Sequence, residues 1–302
     1  MGDPVYIKEV APRDGLQAQS VHLSLPQRQA LIESLAATGL AELEIGSFVS
    51  PKAVPQMAGT DSLAAQLPKA DIDWSVLVPN MKGYELARAA GISTISIVLG
   101  ATEQMNQNNI RKSLPDAFSM AADIMDRARE DGVALHVYLS VAFECPYEGK
   151  VAPGVVIDQV SELMAHSPDR ILLGDTIGAA NPVAVRQLTA SLVEQFGAER
   201  LGCHFHDTRA MALANVYASL ESGIRHFDSS AGGLGGCPFA PGAKGNVATE
   251  DVVLLCEEAG LSTGVSLPAL LDSVALLSDL IGTPQGGRSH YWLREHLERF
   301  SA

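Results

Sequence analysis

Residues 200–215 read RLGCHFHDTRAMALAN, a short apolar run followed directly by a pattern of helical spacing. Side chains alternate along a β-strand, so His204 and His206 point to one side of it and Phe205 points to the other. The apolar residues after Asp207 recur near a period of 3.6, which is typical of a helix. This stretch therefore predicts one strand followed by one helix, with two imidazoles aimed together at the end of the strand.

The same pattern of strand and then helix is repeated along the whole chain. The predicted strands are residues 5–10, 43–48, 74–79, 94–99, 134–143, 170–175, 200–206 and 224–230. Amphipathic segments separate them, such as LPQRQALIESLAATG, in which Pro26 suits a helix start and Gly39 suits a helix end. Eight strands that alternate with helices in 302 residues favour a (β/α)8 TIM barrel. The absence of an early GxGxxG loop disfavours an open, doubly wound sheet.

The whole chain is expected to form a single domain. The barrel is predicted at about residues 5–245, and C-terminal flanking helices at about 247–302, with a polar tail at the end of the chain. We find no linker rich in Pro, Gly or Ser that would separate a second domain.

Composition and charge exclude other classes of protein. Hydrophobic residues make up 47% of the chain and charged residues 19%, which excludes a mainly disordered protein. The net charge of −14 argues against nucleic acids and anionic membranes as general partners. The start of the chain lacks a signal-like segment, and no apolar run approaches the roughly 20 residues that span a bilayer. A cytoplasmic location is therefore expected. Four scattered cysteines without a CxxC pair are interpreted as thiols.

The polar residues at the predicted strand ends are the candidates for chemistry, because reactive groups of such barrels collect at the carboxyl ends of the strands. These residues are Glu9, Arg13, Asp14, Gln17, Glu44, Asp175, His204, His206 and Asp207. The glycine-rich stretch GGLGGCPFAPGAKGN follows the eighth strand and contains Cys237 and Asn246. The barrel geometry predicts that these side chains share one rim.

A metal site is the leading interpretation of the two histidines. Two neutral imidazoles, the carboxylate of Asp14 and the amide oxygen of Asn246 form a set of nitrogen and oxygen ligands without a thiolate. Such a set suits a divalent cation, Mg²⁺ or Mn²⁺, with positions left open for a substrate. The alternative is that His204 and His206 are merely a hydrogen-bonded pair.

The other candidate residues also have structural interpretations. The RDG motif can be a salt-bridged turn in which Arg13 faces solvent and Gly15 supplies an unusual backbone angle. The glycine-rich stretch can be a flexible surface loop, although a lid that brings Cys237 to a substrate is favoured. Asp175 can cap the following helix, and Glu44 can be a structural carboxylate in the barrel mouth.

Taken together, the motifs resemble those of the 3-hydroxy-3-methylglutaryl-CoA lyases, within the wider group of metal-dependent barrel lyases and synthases related to isopropylmalate synthase. The matching segments are EVAPRDGLQ, SFVSPKAVPQM, PNMKGYELA, CPYEGKV, LGDTIG, HFHDT and GGLGGCPFAPGAKGNVATEDVV, between residues 9 and 253. The long cysteine loop that ends in GN is specific for the lyase branch. Because the synthases share the first-strand and histidine motifs without this loop, the resemblance favours a lyase.

The resemblance implies a reaction and a role for each matching residue. The reaction is the retro-Claisen cleavage of 3-hydroxy-3-methylglutaryl-CoA to acetyl-CoA and acetoacetate. The implied metal ligands are Asp14, His204, His206 and Asn246, and the implied catalytic residues are Arg13, Glu44, Asp175, His204 and Cys237. The family implies a homodimer. Apart from the resemblance, contacts to the acyl-CoA are expected from Gln17 and from Lys52, Lys82, Arg111 and Lys150, the last four because of their predicted position near strand ends.

The chain departs from the usual family pattern at several positions. Arg209, Ala210 and Met211 replace a common Tyr-Gly-Gln after HDT. The other departures are Ala18 and Gln19 for Asn-Glu, and Phe143 and Glu144 for Leu-Gly. These positions lead to the alternative of another 3-hydroxyacyl-CoA, either a longer branched hydroxyglutaryl-CoA or citramalyl-CoA. Further alternatives are a synthase, a biotin-dependent carboxyltransferase, whose lysine motif is not evident, and a catalytically silent barrel that binds acyl-CoA or a protein.

Overall fold

The computed structural model describes residues 2–236 and 245–300, and within them eight parallel strands close into a barrel. These strands are β1 (Tyr6–Glu9), β2 (Glu42–Ser47), β3 (Asp73–Leu77), β4 (Thr94–Gly100), β5 (Ala134–Ser140), β8 (Arg170–Asp175), β9 (Leu201–Phe205) and β10 (His226–Ser229). A short antiparallel hairpin, β6 (Glu144–Cys145) with β7 (Gly149–Lys150), follows β5. Each barrel strand pairs with the next one along the chain, and β10 pairs with β1. The predicted (β/α)8 barrel is confirmed.

Helices connect the strands, and their ends carry the expected signals. The described helices are α1 (Leu25–Ala36), α2 (Thr60–Ala64), α3 (Met81–Ala89), α4 (Glu103–Ile110), α5 (Leu114–Asp131), α6 (Pro153–Met164), α7 (Pro182–Phe196), α8 (Ala212–Glu221), α9 (Thr249–Glu258), α10 (Leu267–Ile281) and α11 (His290–Phe300). Ser24 and Gln27 form a capping box at the start of α1, which satisfies two backbone N–H groups. Gly132 and Gly282 end α5 and α10 in the left-handed conformation, which glycine adopts without steric cost.

The core lies between the helices and the outer face of the barrel. On α1, the side chains of Leu31, Ile32 and Leu35 are fully buried. Burial of each such side chain contributes about 1.5–3 kcal/mol relative to its exposure to water. This layer fixes the barrel and so fixes where each strand ends.

The interior of the barrel contains a layer of buried ion pairs. Lys8 Nζ lies 2.9 Å from Glu42 Oε1 and 3.4 Å from Glu44 Oε1. Glu42 is also 3.2 Å from His136 Nδ1 and 3.4 Å from Arg170 Nη1. A buried charge is tolerated only when a partner compensates it, and every carboxylate here has one. Glu44 is therefore held from below by Lys8, at the level just beneath the rim.

The turn after β1 is a π-helix, residues Ala11–Gly15. The N–H of Gly15 donates to the carbonyl of Val10 over 3.1 Å, five residues back along the chain. A Cβ on Gly15 would lie 3.0 Å from Ser230 Oγ, so a larger residue fits here only if its neighbours move slightly. The interpretation of Gly15 as a source of an unusual backbone angle was wrong, since its φ is not positive.

The end of the chain differs from the predicted polar tail. Residues 290–300 form helix α11, and Leu293 on this helix is buried with 2% of its surface exposed. The tail interpretation was wrong because a mostly polar sequence can still form a helix when one apolar side packs on the protein. The short helices α2 and α4 and the β6–β7 hairpin were not predicted. None of the described helices is long and apolar enough to cross a membrane.

Candidate metal centre

His204 and His206 lie at the carboxyl end of β9 and are both buried. Their Nε2 atoms face each other at a distance of 3.2 Å. Two ligands that occupy adjacent positions around one divalent ion, each roughly 2.1 Å from it, are about 3 Å apart. The separation of the two ring nitrogens therefore fits two ligands of a single ion.

Asp228, on the neighbouring strand β10, orients the first of these rings. It lies opposite His204 in the register of the two strands, and His204 Nδ1 donates to Asp228 Oδ2 over 2.9 Å. This bond leaves the lone pair of His204 on Nε2, which is the atom that faces His206. Burial lowers the pKa of His204, but Asp228 outweighs it, so that this pKa is raised. Sequence reasoning missed Asp228, although its place in the register is a usable signal.

The second ring is held neutral, as a metal ligand must be. Burial, followed by the neighbouring His204, lowers the pKa of His206 to about 4. Its Nδ1 atom is buried and has no hydrogen-bond partner among the described residues.

Asp14 and Asn246 complete the set of candidate ligands. One carboxylate oxygen of Asp14 and one nitrogen from each histidine all lie within 4.8 Å of one another. Asn246 Nδ2 donates to Asp14 Oδ2 over 2.9 Å, and the backbone of Asn246 forms a β-bridge with His206. The Oδ1 atom of Asn246 is buried without a hydrogen-bond partner in the described part of the chain. These groups fit a divalent cation, because such an ion would satisfy the amide oxygen.

Arg13 and Glu44 form a buried ion pair beside this cluster. Arg13 Nε binds Glu44 Oε2, and Arg13 Nη1 binds Asp14 Oδ1. Burial opposes the charge of each carboxylate, but Arg13 keeps the pKa of Glu44 and of Asp14 below the usual range. The alternative in which Arg13 faces solvent was wrong, because only 5% of its surface is exposed. Its guanidinium is thus a fixed positive charge at the site.

Asp175 ends β8 and has one oxygen available. Its Oδ1 accepts backbone N–H bonds from Ala179 at 2.7 Å and from Ala180 at 3.0 Å. Its Oδ2 is buried and has no hydrogen-bond partner in the described residues. Burial raises the pKa of Asp175 to about 6, so its proton can be exchanged near neutral pH. The cap of the following helix is Asn181, whose side chain accepts from Ala184, so Asp175 was wrongly considered for that role.

Tyr138 on β5 also borders the site and carries no motif that would have revealed it. Its ring meets His204 edge-on, with 5.9 Å between the ring centroids. Its hydroxyl is buried and has no hydrogen-bond partner within the described residues. The only sequence signal for this residue is its place on the inward-facing side of a strand, along which side chains alternate.

The other predicted contact residues are spread over the surface. Lys52, Lys82, Arg111 and Lys150 are exposed, and Gln17 is half-buried. Their contacts to acyl-CoA stay predictions. Cys237 and the surrounding residues 237–244 lie outside the described residues.

Two of the departures from the family pattern lie in the turn after β9. Arg209 donates to the backbone carbonyls of Gly178 and Ala179, which joins the turn after β9 to the turn after β8. Ala210 has a φ of 58°, in the left-handed region that favours glycine, and glycine is the residue common in the family at this position. Arg209 and Ala210 therefore shape the turn that follows the histidines.

We expect Ala210→Gly to stabilise the protein by about 1 kcal/mol, because glycine relieves the steric cost of the left-handed conformation. The measurement is the free energy of unfolding from urea denaturation of both proteins. Ala30→Gly, at an exposed position in the middle of α1, is the matched control and is expected to destabilise by about 1 kcal/mol. Equal effects of the two substitutions would contradict the prediction.

Known proteins resemble this chain over nearly its full length. A profile of the HMGL-like family matches residues 4–277. A hydroxymethylglutaryl-CoA lyase of Pseudomonas mevalonii is 43% identical over 94% of this chain and 95% of its own, and an (R)-citramalyl-CoA lyase of Chloroflexus aurantiacus is 38% identical over 93% and 92%.

A solved structure has the same overall fold. An HMG-CoA lyase from Acinetobacter baumannii, in complex with coenzyme A and 3-methylmalate, superposes with a TM-score of 0.91 and is 36% identical. The alignment covers 95% of this chain and 94% of that one. The resemblance drawn from the motifs is thus confirmed, and the chain belongs to the HMGL-like family.

Proposed function

We propose that this protein is a metal-dependent lyase that cleaves 3-hydroxy-3-methylglutaryl-CoA to acetyl-CoA and acetoacetate. The observation that carries the proposal is the convergence of Asp14, His204 and His206 within 4.8 Å, beside the buried Arg13. The name of the 43% identical relative supports this substrate. The reaction needs a group that binds the substrate oxygens and a cation that stabilises a developing enolate, and this site can provide both.

The proposed metal ligands are Asp14, His204, His206 and Asn246, and the proposed ion is Mg²⁺ or Mn²⁺. When bound, such an ion lowers the pKa of the substrate hydroxyl and orients the substrate, without any change of oxidation state. The protein contributes the orientation of the ligands, since Asp228 fixes the ring of His204.

The proposed cleavage balances without an oxidant or a reductant. The tertiary hydroxyl of the substrate gives its proton to a base, and the bond between C2 and C3 breaks. The electron pair of that bond goes to the thioester side and forms the enolate of acetyl-CoA, while C3 becomes the ketone carbon of acetoacetate. A proton then adds to the enolate carbon, which completes acetyl-CoA.

Arg13 is proposed to stabilise the enolate oxygen. Glu44 and Asp14 hold its Nε and Nη1 atoms, and Nη2 has no hydrogen bond among the described residues. A guanidinium fixed in this way costs no reorganisation when charge develops on the substrate. Glu44 and, beneath it, Lys8 keep the arginine in place.

The proton transfers are proposed for Asp175, His204 and Cys237 together. The free Oδ2 of Asp175 can accept the hydroxyl proton, and a pKa of about 6 suits a group that both takes up and releases protons near pH 7. His204 lies on the same rim. Cys237 is assigned on the family resemblance.

The proposal extends to the rest of the acyl-CoA. Gln17 and the exposed Lys52, Lys82, Arg111 and Lys150 are the residues proposed to contact it. That the solved lyase from Acinetobacter baumannii carries coenzyme A supports an acyl-CoA ligand. A homodimer is proposed on the same resemblance, and a cytoplasmic location is proposed as well.

The test is acetyl-CoA release from metal-depleted protein, with and without added Mg²⁺ or Mn²⁺. The substrates are 3-hydroxy-3-methylglutaryl-CoA, citramalyl-CoA and a longer branched 3-hydroxyglutaryl-CoA. We expect release that depends on the metal, with the highest kcat/KM for 3-hydroxy-3-methylglutaryl-CoA. A higher kcat/KM for citramalyl-CoA would change the substrate and keep the mechanism, whereas no cleavage of any thioester would overturn the proposal.

A further inference from the structure

The connector between α10 and α11, residues 282–289, packs against the carboxyl face of the barrel. It lies beyond residue 277, where the match to the family profile ends. Four of its backbone N–H groups bind the rim: Gly286 to Gly232 O at 3.2 Å, Gly287 to Glu250 Oε1 at 2.7 Å, Arg288 to Asp251 Oδ2 at 2.7 Å, and Ser289 to Asp251 Oδ1 at 2.8 Å. The other carboxylate oxygen of Glu250 accepts from the N–H of Gly232 at 3.0 Å. The connector and the segment after β10 thus share one buried carboxylate.

The contact leaves no space for side chains between the two backbones. A Cβ on Gly287 would lie 2.6 Å from the Cβ of Ala248, and a Cβ on Gly232 would lie 2.9 Å from the Cβ of Gln285. Distances this short exclude a larger residue unless the backbone moves. The backbone of the connector is therefore held in place directly before Arg288.

Arg288 extends from this fixed backbone to Asp207, the residue after His206. Its Nε and Nη2 atoms lie 2.9 Å and 2.8 Å from Asp207 Oδ2. The other oxygen of Asp207 accepts from the N–H of Ala212 at the start of α8, over 3.2 Å. The N–H of Asp207 donates to the carbonyl of Gly245 over 3.0 Å.

Asp207 thereby joins the two segments that carry candidate ligands. It follows His206 directly in the chain, and Gly245 directly precedes Asn246. Asp207 and Arg288 also line a cleft of about 180 Å³ together with Asn246. A shift of Asp207 would change the position of His206 and of Asn246 together.

We infer that Arg288 is a positioning residue of the metal centre, which acts through Asp207 on His206 and Asn246. This inference rests on the proposed metal site. Arg288 touches none of the proposed ligands through its side chain in the described residues, so its effect on metal affinity is indirect. It uses a part of the chain that lies beyond the end of the match to the family profile at residue 277.

A positioning role and a purely electrostatic effect predict opposite changes in metal affinity when Arg288 is replaced. Loss of the positive charge of Arg288 would leave the negative charge of Asp207 uncompensated. By Coulomb attraction alone, this change would tighten the binding of a cation. Loss of a positioning contact weakens binding, as removal of an outer partner of a metal ligand commonly does by about 10–100-fold. Because Arg288 acts one residue further away, we expect a weakening of about 3–10-fold in Arg288→Gln.

The experiment measures the Kd of Mn²⁺ by calorimetric titration of the metal-depleted full chain. Arg288→Gln is compared with Arg288→Lys, which keeps the charge but not the pair of donors, and an intermediate Kd is expected for the lysine. Arg186→Gln is the matched control, because Arg186 is equally exposed and pairs with Glu221 on the outer helices at 3.6 Å. Its Kd is expected to equal that of the wild type. The Tm of each metal-free protein is measured alongside.

A lower Tm of Arg288→Gln with an unchanged or tighter Kd would overturn the inference, because the arginine would then have only a structural role. An equal weakening in Arg186→Gln would overturn it as well. If the wild type binds no Mn²⁺, the proposed metal site and this inference both fail. If the wild type binds Mn²⁺ and only the effect of Arg288→Gln is missing, the inference alone fails.

Discussion

Replacing His206 with alanine is expected to lower the rate of metal-dependent acyl-CoA cleavage by about 10³-fold, or about 4 kcal/mol of transition-state stabilisation. The Nε2 atom of His206 lies 3.2 Å from that of His204, and no other imidazole is described close enough to replace it. Alanine would also leave Asp14 without one of the groups that keep its pKa low. The measurement is the initial rate of acetyl-CoA release at saturating Mn²⁺, together with the Kd of Mn²⁺.

The control for this variant is His166→Ala. His166 is half-buried outside the barrel, and its Nδ1 lies 3.2 Å from Asp126. Its loss is expected to leave the cleavage rate and the metal affinity unchanged. Retention of more than roughly one tenth of the activity by His206→Ala, or similar losses in both variants, would contradict the role assigned to His206.

Arg13→Gln is expected to lower kcat by about 10²–10³-fold, the usual cost of removing one donor that stabilises a developing oxyanion. The KM for the acyl-CoA is expected to change little, because the positive charge acts on the enolate that forms during the reaction. The substitution also leaves Glu44 without its closest cation, so a loss of stability of about 3–5 kcal/mol is expected. Steady-state kinetics and the Kd of Mn²⁺ give the activity, and urea denaturation gives the stability.

Two further variants test that interpretation of Arg13. Arg13→Lys keeps the charge but carries all its donors on one nitrogen, so it cannot hold Glu44 and Asp14 from separate atoms as the guanidinium does, and at least a ten-fold loss in kcat is expected. Arg127→Gln removes an exposed arginine that pairs with Asp131 on α5, and no kinetic effect is expected. A rise in KM with an unchanged kcat would show that Arg13 binds the substrate without stabilising the enolate.

The fold was predictable because each strand and helix has a strong local signal. The boundaries of β8 and β9 agree with the predicted strands within one residue at each end. The end of β5 was predicted three residues too far along the chain, since Val141 has a positive φ that an apolar run does not reveal. Helix α11 was missed because its sequence is mostly polar, and its burial depends on a tertiary contact at Leu293.

The candidate site was predictable to the extent that its residues belong to motifs. The structure brings together Asp14, His204, His206 and Asn246, which come from three separate parts of the sequence. Asp228 was missed because its partner lies on the neighbouring strand, so that only the register between strands reveals the contact. Arg288 was missed for a similar reason, since its contact to Asp207 depends on how a connector folds back over the barrel.

The π-helical turn at Ala11–Gly15 gives the chain one residue more than an α-helical turn of the same span would hold. Within this turn, Arg13 and Asp14, although adjacent in sequence, bind each other and face the same site. The turn is therefore intolerant of insertion and deletion, whereas the exposed connections on the opposite end of the barrel can vary in length without changing the chemistry.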